Sequence, residues 1–558
     1  MTEEEIKKLV TGRQKKLETL RAPMEDVWQA VSDYVNLGLG SIAGDTLSTD
    51  WGKKAYNGTA VGAAVLATDG IHGYHVSPAF PWFSYMMSRT VLNKVPEIRQ
   101  WLQDEAEEIY SALNNSNFYS EMWPYIFNGF TVGTVGIYAE DDFKTGRLVF
   151  DAVHPREGYC SENRFGEVDV FHRKRKRTAK QLVEKFGLDK MPEAVKNAYN
   201  NDPFQDFELL HAVYPRDKYN PQQINNENKV FASVWYLTAS SKVISESGFD
   251  EFPYTVWRYM RGGIGAYGLC PAILAMADTK GCNIISKTLY GAAQLHNDPP
   301  LNVPSDMQGK VQWKPRGLNY YDKENMIIKP ANVGGNFPIG LEWMEKIEQS
   351  IRERFHVDTF LMLTQMDRGA KTAYEVSEMM GEKAAILGAE LAPLNNVMDS
   401  ILDLVYSMLA KRHPENDGSI TPRPDILYEL AMEGDSFSPQ YDGPLAQAQR
   451  RMFKTQGINA GLGLLGPVLE VFPESKDKIN GDEIVNVIME AHNFPQRTIR
   501  TNDEVTALRQ ARQEAMAAEN QKQDMLDMAD GVKTMADANA TSEGAIAQGI
   551  TQAMGGQA

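Results

Sequence analysis

The stretch Trp257–Gly281, WRYMRGGIGAYGLCPAILAMADTKG, decides between two kinds of fold. Gly263, Gly265 and Gly268 match the pattern G-x-G-x-x-G of dinucleotide-binding loops, and an apolar run typical of a strand precedes them. A dinucleotide-binding unit then needs a short crossover helix and a second parallel strand ending in an acid, all within about thirty residues. The residues that follow test whether such a unit is present.

The residues after the glycines predict one long helix and no second parallel strand. Helical periodicity continues from Pro271 to Asn297, and Pro299 and Pro300 then end it. A proline suits the first turn of a helix, where its missing N–H would have no partner. We therefore interpret the glycines as a loop that enters a long helix, and we disfavour a nucleotide site.

The overall composition is that of a globular protein with more than one domain. The chain has 558 residues, of which 42% are hydrophobic and 23% charged. Three scattered cysteines are too few for a disulfide framework or a zinc site, so a reducing compartment is expected; they are Cys160, Cys270 and Cys282. The start MTEEE lacks the features of a secretory signal, and no apolar run of about eighteen residues occurs, which predicts a soluble, cytosolic chain without membrane contact.

The formal net charge of −17 argues against a protein that grips nucleic acid over its whole surface. Tight binding would require many Lys and Arg contacts that replace counterions on the phosphates. An acidic protein could still let DNA slide past it.

The amino-terminal half mixes helices and strands, which predicts an α+β body. Apolar residues at helical spacing predict helices over 13–36 and 95–114. Aromatic and β-branched residues interrupted by glycines predict a strand with bulges or turns over 127–138, and further strands are predicted over 207–214 and 229–244. Between them, Thr178 and Gln181 predict a capping box at the start of a short helix.

The carboxy-terminal half is mainly helical. A second long helix from about residue 338 pairs with the first, so that 271–297 and 338 onward form a hairpin capped by a small module. Apolar residues spaced by threes and fours from Val376 to Met408 predict a third long helix, which Pro393 should kink. Further helices are predicted around 481–492 and 502–530, and residues 531–558 should be mobile unless an assembly orders them.

The basic run His172–Arg177, HRKRKR, allows two interpretations. It could be a nucleic-acid patch. Alternation within a strand would instead turn about half of these side chains toward solvent or toward acids, including acids of another subunit, and we favour this second interpretation.

We find no catalytic set in the sequence. The chain has no HExxH, no G-x-S-x-G and no Walker loop, and its nine histidines are dispersed. The neighbouring acids Glu140, Asp141 and Asp142 sit beside Lys144 and Gly146, where a hairpin turn explains them. We expect no enzyme activity, no cofactor and no metal.

Several segments, in this order along the chain, resemble one known family. They are the amino-terminal helix with Trp28, SPAFPWFSY, NSNFYSEMWPYIFNGFTVGTVGIYAEDD, TAKQLVEKFG, RYMRGGIGAYGLCPAILAMADTK, KTAYEV and YDGPLAQAQR. Their order, from about 13 to 530, resembles that of the bacteriophage head-to-tail connector, or portal, proteins of short-tailed phages with T7-like organisation. The insertion NPQQINNEN and the carboxy-terminal tail have no counterpart that we can assign.

The resemblance implies a portal fold, α+β and mainly helical. Its parts would be an α/β wing over 1–271, stem helix 1 over 272–297, a small α/β clip over 298–337, stem helix 2 over 338–362, a tunnel loop and long kinked wing helix over 363–440, a helical crown over 441–530 and a low-complexity tail over 531–558.

The resemblance also implies a role and partners. Portal subunits form a ring, usually a dodecamer, at one capsid vertex of the virion, through which double-stranded DNA is packaged and ejected. The implied partners are the terminase large subunit, the major capsid and scaffolding proteins and tail adaptor proteins, and assembly would take place in the host bacterial cytoplasm. The ATPase is the terminase.

The resemblance assigns candidate contact residues to two places. Those of the tunnel loop, expected to meet DNA, are Gln365, Arg368, Lys371 and Thr372. Cations of the clip, for motor or tail docking or for subunit contacts, are Lys310, Lys314, Arg316, Lys323 and Lys329. Two alternatives stay open: another virion structural protein, such as an internal core or tail component, and a nucleotide-binding enzyme that uses the Gly263–Gly268 loop.

Overall fold

The structure is a computed structural model of the chain. It describes residues 2–554 except 43–53, 143–144, 220–224, 263–264, 298–300, 303–328, 331–336, 359–372, 431–434, 443–457, 459–460, 463, 466–471, 492–499 and 501. The chain forms two compact units, Met1–His492 and Asn493–Ala558.

The first unit mixes helices and antiparallel strands, as the α+β prediction requires. Its helices are α1 (Glu3–Tyr34), α2 (Thr59–His75), α3 (Pro96–Asn114), α4 (Phe118–Val132), α5 (Ala179–Phe186), α6 (Glu193–Asn201), α7 (Pro271–Leu274), α8 (Met276–Asn297), α9 (Phe337–Arg354), α10 (Ala373–Ala410), α11 (Asp425–Leu430) and α12 (Gly481–Ala491). The second unit contains α13 (Asn502–Met554).

Every strand pair in the described part of the chain is antiparallel. The sheets have the orders β4-β5-β6-β7-β8, β3-β2-β9, β1-β12 and β10-β11. The strands are β1 (Phe83–Met87), β2 (Thr134–Asp142), β3 (Arg147–Ala152), β4 (Gly158–Glu162), β5 (Val168–Thr178), β6 (Asp206–Pro215), β7 (Phe231–Leu237), β8 (Lys242–Phe249), β9 (Tyr254–Arg258), β10 (Leu301–Asn302), β11 (Lys329–Pro330) and β12 (Phe437–Tyr441).

Both faces of the five-stranded sheet are covered, which explains why β6 is apolar along most of its length. On one face, Leu209 packs with Leu182 of α5 and Val195 of α6. On the other face, Leu210 and its neighbours pack against Ile6 and Val10 at the start of α1. Helices α5 and α6 therefore form a small lobe with its own core on this sheet.

The main core lies between the three-stranded sheet and the surrounding helices. Trp28 of α1 and Trp257 of β9 are buried in it, and the indole N–H of Trp28 donates to the Val132 carbonyl at 3.0 Å. Helix α10 contributes a buried face that includes Leu394, Met398 and Ile401. It continues through Pro393, while the kink itself stays a prediction.

Local signals in the sequence predicted two helix boundaries correctly. Thr178 and Gln181 form the capping box of α5, and Gly187 follows its last residue as C-cap. Pro271 occupies the first turn of α7. The predicted helix over 271–297 is interrupted at Ala275, where α7 ends and α8 follows.

The predicted strand over 127–138 was wrong in its first half. Residues 127–132 belong to α4, which ends at Gly133 with φ of 87°, and β2 starts only at Thr134. Burial of Phe130 and Val132 against the main core stabilises β-branched and aromatic residues in a helix despite their strand propensity.

The strand predicted over 229–244 needed correction. The run contains β7 and the first three residues of β8, joined by a turn in which Ser241 has φ of 48°. In the tail 531–558, α13 continues as far as Met554, while the mobility of this tail outside an assembly stays a prediction.

Candidate functional site

Helices α8 and α9 form an antiparallel hairpin. The Ser350 hydroxyl donates to Asp278 at 3.0 Å, and the Ser286 hydroxyl lies 3.4 Å from the sulfur of Met344. Later residues of α8 thus contact earlier residues of α9, so the two helices run antiparallel. Beyond the helices, Asn302 lies opposite Lys329 in the antiparallel β10–β11 ladder. The predicted helical hairpin is therefore observed, while most of the small module predicted at its end lies outside the described residues.

The base of the hairpin is fixed to the body by buried polar and apolar contacts. The Asn283 side-chain oxygen accepts from the backbone N–H of Tyr56 at 2.7 Å and from that of Asn57 at 3.0 Å. The Asn57 side chain then donates to Glu348 of α9 at 2.7 Å. Phe355, directly after α9, is fully buried in the main core.

Several large apolar side chains on the hairpin are not covered by the described part of the chain. Ile284 and Tyr290 of α8 are 67% and 61% exposed, and Trp343 of α9 is 62% exposed. Leu341, which helical spacing assigns to the apolar stripe of α9, is also 47% exposed. These four side chains are candidates for contact with other molecules.

Trp343 precedes Ile347 by four residues and therefore lies at the edge of the apolar stripe of α9. Periodicity alone predicts burial at this position, and only the structure reveals that the side chain is 62% exposed.

The predicted contact residues fall mostly outside the described part of the chain. This holds for Gln365, Arg368, Lys371 and Thr372 of the loop and for Lys310, Lys314, Arg316 and Lys323 of the capped module. Lys329 is placed by its backbone in β11. The contacts of all nine side chains stay predictions. The loop precedes α10, which begins at Ala373.

The basic run on β5 is largely neutralised by acids of the same chain. Arg173 bonds Glu157 at 2.8 Å and Asp151 at 2.7 Å, and Arg175 also bonds Asp151 at 2.7 Å. Lys174 on the opposite face lies 3.1 Å from Glu208. This pairing agrees with the interpretation in which the side chains face acids and disfavours a nucleic-acid patch.

Backbone packing explains Gly268, and a φ of 60° suits glycine at position 265, while Gly263 lies outside the described residues. A Cβ on Gly268 would lie 2.8 Å from the Met260 carbonyl oxygen, and a Cβ on Gly133 would lie 2.7 Å from the Gly268 oxygen. The N–H of Gly268 donates to the Thr134 hydroxyl at 2.7 Å. Since the sheet before this loop is antiparallel, the topology differs from that of a dinucleotide-binding fold.

The acidic triplet lies at the β2–β3 hairpin, as predicted. Asp142 pairs with Arg147 in the ladder, and the Thr145 N–H donates to the Asp142 carbonyl. Asp141 has a further role that the sequence did not reveal. It accepts from the guanidinium of Arg412, at 2.6 and 3.1 Å, which ties the hairpin to the end of α10.

Burial favours the neutral forms of several buried histidine and cysteine side chains. Burial lowers the pKa of His172 to about 3 and that of His75 to about 4. Burial raises the pKa of the Cys160 and Cys270 thiols to about 12, which opposes formation of the reactive thiolate. All three cysteines are free and buried.

Two searches of the described residues gave negative results. No group of histidine, cysteine and acidic side chains in the described part has the arrangement of a metal site. No helix there has both the length and the apolar content needed to cross a bilayer.

An α+β body that carries a helical hairpin with exposed apolar side chains favours a protein that contacts other molecules through the hairpin. The family described as "Bacteriophage head to tail connecting protein" matches residues 7–499. The chain belongs to this bacteriophage head-to-tail connecting protein family.

Two relatives agree with this family over nearly their full lengths. The portal protein of Salmonella phage epsilon15 is 26% identical over 546 residues, which cover 95% of each chain. The probable portal protein of Bordetella phage BPP-1 is 24% identical over 568 residues, which cover 100% of each. These matches confirm the family indicated by the sequence, while the T7-like detail stays a prediction. They do not favour an internal core or tail component.

Proposed function

We propose that this chain is a portal subunit that forms a closed ring at one capsid vertex, through which double-stranded DNA is packaged and later ejected. The family match over 7–499 and the two portal relatives support this role. We further propose a ring of twelve copies within the virion, assembled in the host cytoplasm.

The observation that carries the proposal is the hairpin with uncovered apolar side chains. Burying a large apolar side chain contributes roughly 1.5–3 kcal/mol. Ile284, Tyr290 and Trp343 on each copy could therefore supply several kcal/mol to a contact with the next copy. A head-to-tail contact of this kind closes into a ring when its rotation divides a full turn.

The proposed parts follow the chain in order. The wing would be 1–271, the stem 272–297 and 338–362, and the clip 298–337. The tunnel loop and the long wing helix would lie within 363–440, and the crown within 441–530. Helices α8 and α9 support the stem assignment, and α10 supports the long wing helix.

The charge of the chain suits a channel that DNA must slide through. With a net charge of −17 per copy, a ring repels phosphates on average, so DNA would be centred and would not adhere to the wall. We propose that Gln365, Arg368, Lys371 and Thr372 form the collar that meets DNA. A channel wall that bound DNA tightly would slow the terminase as it drives DNA through the ring.

We propose that the chain hydrolyses nothing itself and serves as a docking platform. Lys310, Lys314, Arg316, Lys323 and Lys329 would hold an acidic motor or tail surface, or a neighbouring subunit. The proposed partners are the terminase large subunit, tail adaptors, and the major capsid and scaffolding proteins.

Replacing Arg368 and Lys371 together by Ala tests the role in DNA passage. The variant should form the same rings as the parent, because the change leaves the stem intact, but it should package or retain less DNA. Lys180→Ala with Lys190→Ala, two exposed cations of the α5–α6 lobe, is the matched control and should package normally. Unchanged DNA content in the Arg368 and Lys371 variant would show that these residues do not contact DNA.

A further inference from the structure

A cavity of about 450 Å³ lies between β5 and α5 in the small lobe. Three cations, Arg175, Arg177 and Lys185, and one acid, Glu184, line it. Its apolar side chains include Leu182 and Phe186. Arg175 and Arg177 share one face of β5, because alternate residues of a strand point the same way. The cavity therefore combines positive charge with an apolar wall.

Only one of these cations lacks an acidic partner within the described part of the chain. Arg175 bonds Asp151 at 2.7 Å, and Lys185 bonds Glu140 at 3.1 Å. Arg177 has no ion pair with a described residue, although Arg173 and Arg175 lie on the same face of the strand. Burial and the charges of Arg175 and Arg173 lower the pKa of Arg177, and the charges of Asp151 and Glu157 offset this only in part. A half-buried guanidinium beside two others is unfavourable unless an anion approaches it.

An exposed aromatic residue lies near the same end of β5, outside the lining of the cavity. Phe204 is 76% exposed. The Lys180 N–H donates to the Pro203 carbonyl at 3.1 Å, and Arg177 pairs with Phe207 in the ladder, so the backbone of Phe204 lies near the end of β5 that carries Arg177. Arginine and aromatic residues are enriched at the energetically important centres of protein–protein contacts.

We propose that the cavity at Arg177 receives a carboxylate side chain from an acidic and apolar segment of a second copy of this chain, as part of the contact between subunits. This inference rests on the proposed ring. Each copy has 74 Asp and Glu against 57 Lys and Arg, so a neighbouring copy offers an excess of acids.

The number of cations without an ion pair in the described part of the cavity favours a carboxylate, and not a DNA backbone, as the group that binds there. A protein that follows a DNA backbone neutralises several phosphates with a row of free cations. Arg175 and Lys185 are already paired, and the acid that lines the cavity, Glu184, lies 3.8 Å from Lys180, which leaves Arg177 as the lining cation without an ion pair among the described residues. One charge with an apolar wall suits a single carboxylate on an apolar segment.

The test compares Arg177→Glu with Lys190→Glu, which changes the charge of the same lobe equally at an exposed position outside the cavity. Each purified full-length chain is diluted, and the fraction in rings is measured by native mass spectrometry with negative-stain imaging. In Arg177→Glu the new carboxylate lies on the same face of β5 as Arg173 and Arg175. This variant should therefore fold with an equal or higher melting temperature. It should nevertheless need at least about tenfold more protein to form rings, because a charge pair between copies is lost.

Assembly of Arg177→Glu at the parent's concentration, with normal rings, would overturn the inference and leave the proposed function intact. Failure of the parent itself to form rings would instead count against the proposed function and, with it, against the inference.

A photoreactive side chain at Gln181, an exposed residue lining the cavity, identifies the occupant. Irradiated rings should give a covalent dimer whose linked peptide contains Asp or Glu of the same chain. A link only to DNA or to another virion protein, in filled particles, would overturn the assignment to a second copy.

Discussion

Close backbone contact at the end of α4 depends on two glycines. Gly133 ends the helix with φ of 87°, a conformation that side chains with a Cβ disfavour, and its Cα faces the carbonyl of Gly268. The ring of Trp257 occupies the space that a Cβ on Gly129 would need. Gly129, Gly133 and Gly268 therefore allow close packing of α4, β2 and the loop that enters α7.

Gly133→Ala should therefore destabilise the first unit by about 1–3 kcal/mol, through both backbone strain and the clash with Gly268. Thermal or denaturant unfolding measures this change. Gly62→Ala in α2 is the control, because no atom lies within 4 Å of its added Cβ, and it should leave stability unchanged or raise it. Equal melting temperatures for Gly133→Ala and the parent would contradict the packing role.

Buried His172 makes stability depend on pH. Its Nδ1 lies 3.0 Å from the Gln14 side-chain oxygen, and its Nε2 has no hydrogen-bond partner within the described residues. Because its pKa is lowered to about 3 in the fold, its neutral form contributes stability above the unfolded pKa of about 6.5. That stability is lost as the pH falls from 6.5 toward 3.

His172→Gln should flatten the loss of stability between pH 6.5 and pH 4, by up to about 3 kcal/mol relative to the parent. Denaturant unfolding at several pH values measures the two slopes. Parallel curves for His172→Gln and the parent would refute the assignment.

At the scale of elements, sequence periodicity identified the long helices well. Apolar residues at steps of three and four predicted α9 and α10 because those helices bury one face in the main core. Periodicity failed over residues 127–132, where residues with strand propensity belong to a buried helix. The difference arises because tertiary burial outweighs propensity. The uncovered side chains of the hairpin became visible only once both helices were placed.

The hairpin surface yields a prediction on assembly. Ile284→Ser with Trp343→Ser should leave the melting temperature of the single chain nearly unchanged, because both side chains are mostly exposed. Ring formation should need at least about tenfold more protein, since apolar burial between copies is lost. Native mass spectrometry over a dilution series measures the effect.

Phe165→Ser is the matched control for this variant, because Phe165 is 67% exposed on the turn between β4 and β5. It should assemble like the parent. If the hairpin variant also assembles at the parent's concentration, the exposed face of α8 and α9 does not join subunits.

Helix α13 also requires partners. Residues 504–534 are exposed on all sides except at Val505, and a helix without packing gains little stability in water. The thin apolar stripe includes Leu508, Met525 and Val532, all exposed. We expect copies of α13 to pack on one another in the assembled protein. A single chain lacks these neighbours, and for this reason its sequence predicted a mobile tail.

At the scale of the whole molecule, the order of segments along the chain identified the family, and the match over 7–499 confirmed it. The sequence alone could not identify the contact residues. Nothing in the run HRKRKR distinguishes Arg177 from its neighbours. Only the placement of Asp151, Glu157 and Glu140 in the fold shows that Arg177 has no ion pair among the described residues. Charge pairing depends on the fold and not on local sequence.

Single-particle imaging of the purified full-length chain, with its mass measured under native conditions, tests the central claim most directly. We predict closed rings with an axial channel, in which copies of the α8–α9 hairpin lie side by side around the opening. Monomers or open filaments under all assembly conditions, or rings whose hairpins point away from the channel, would contradict the account.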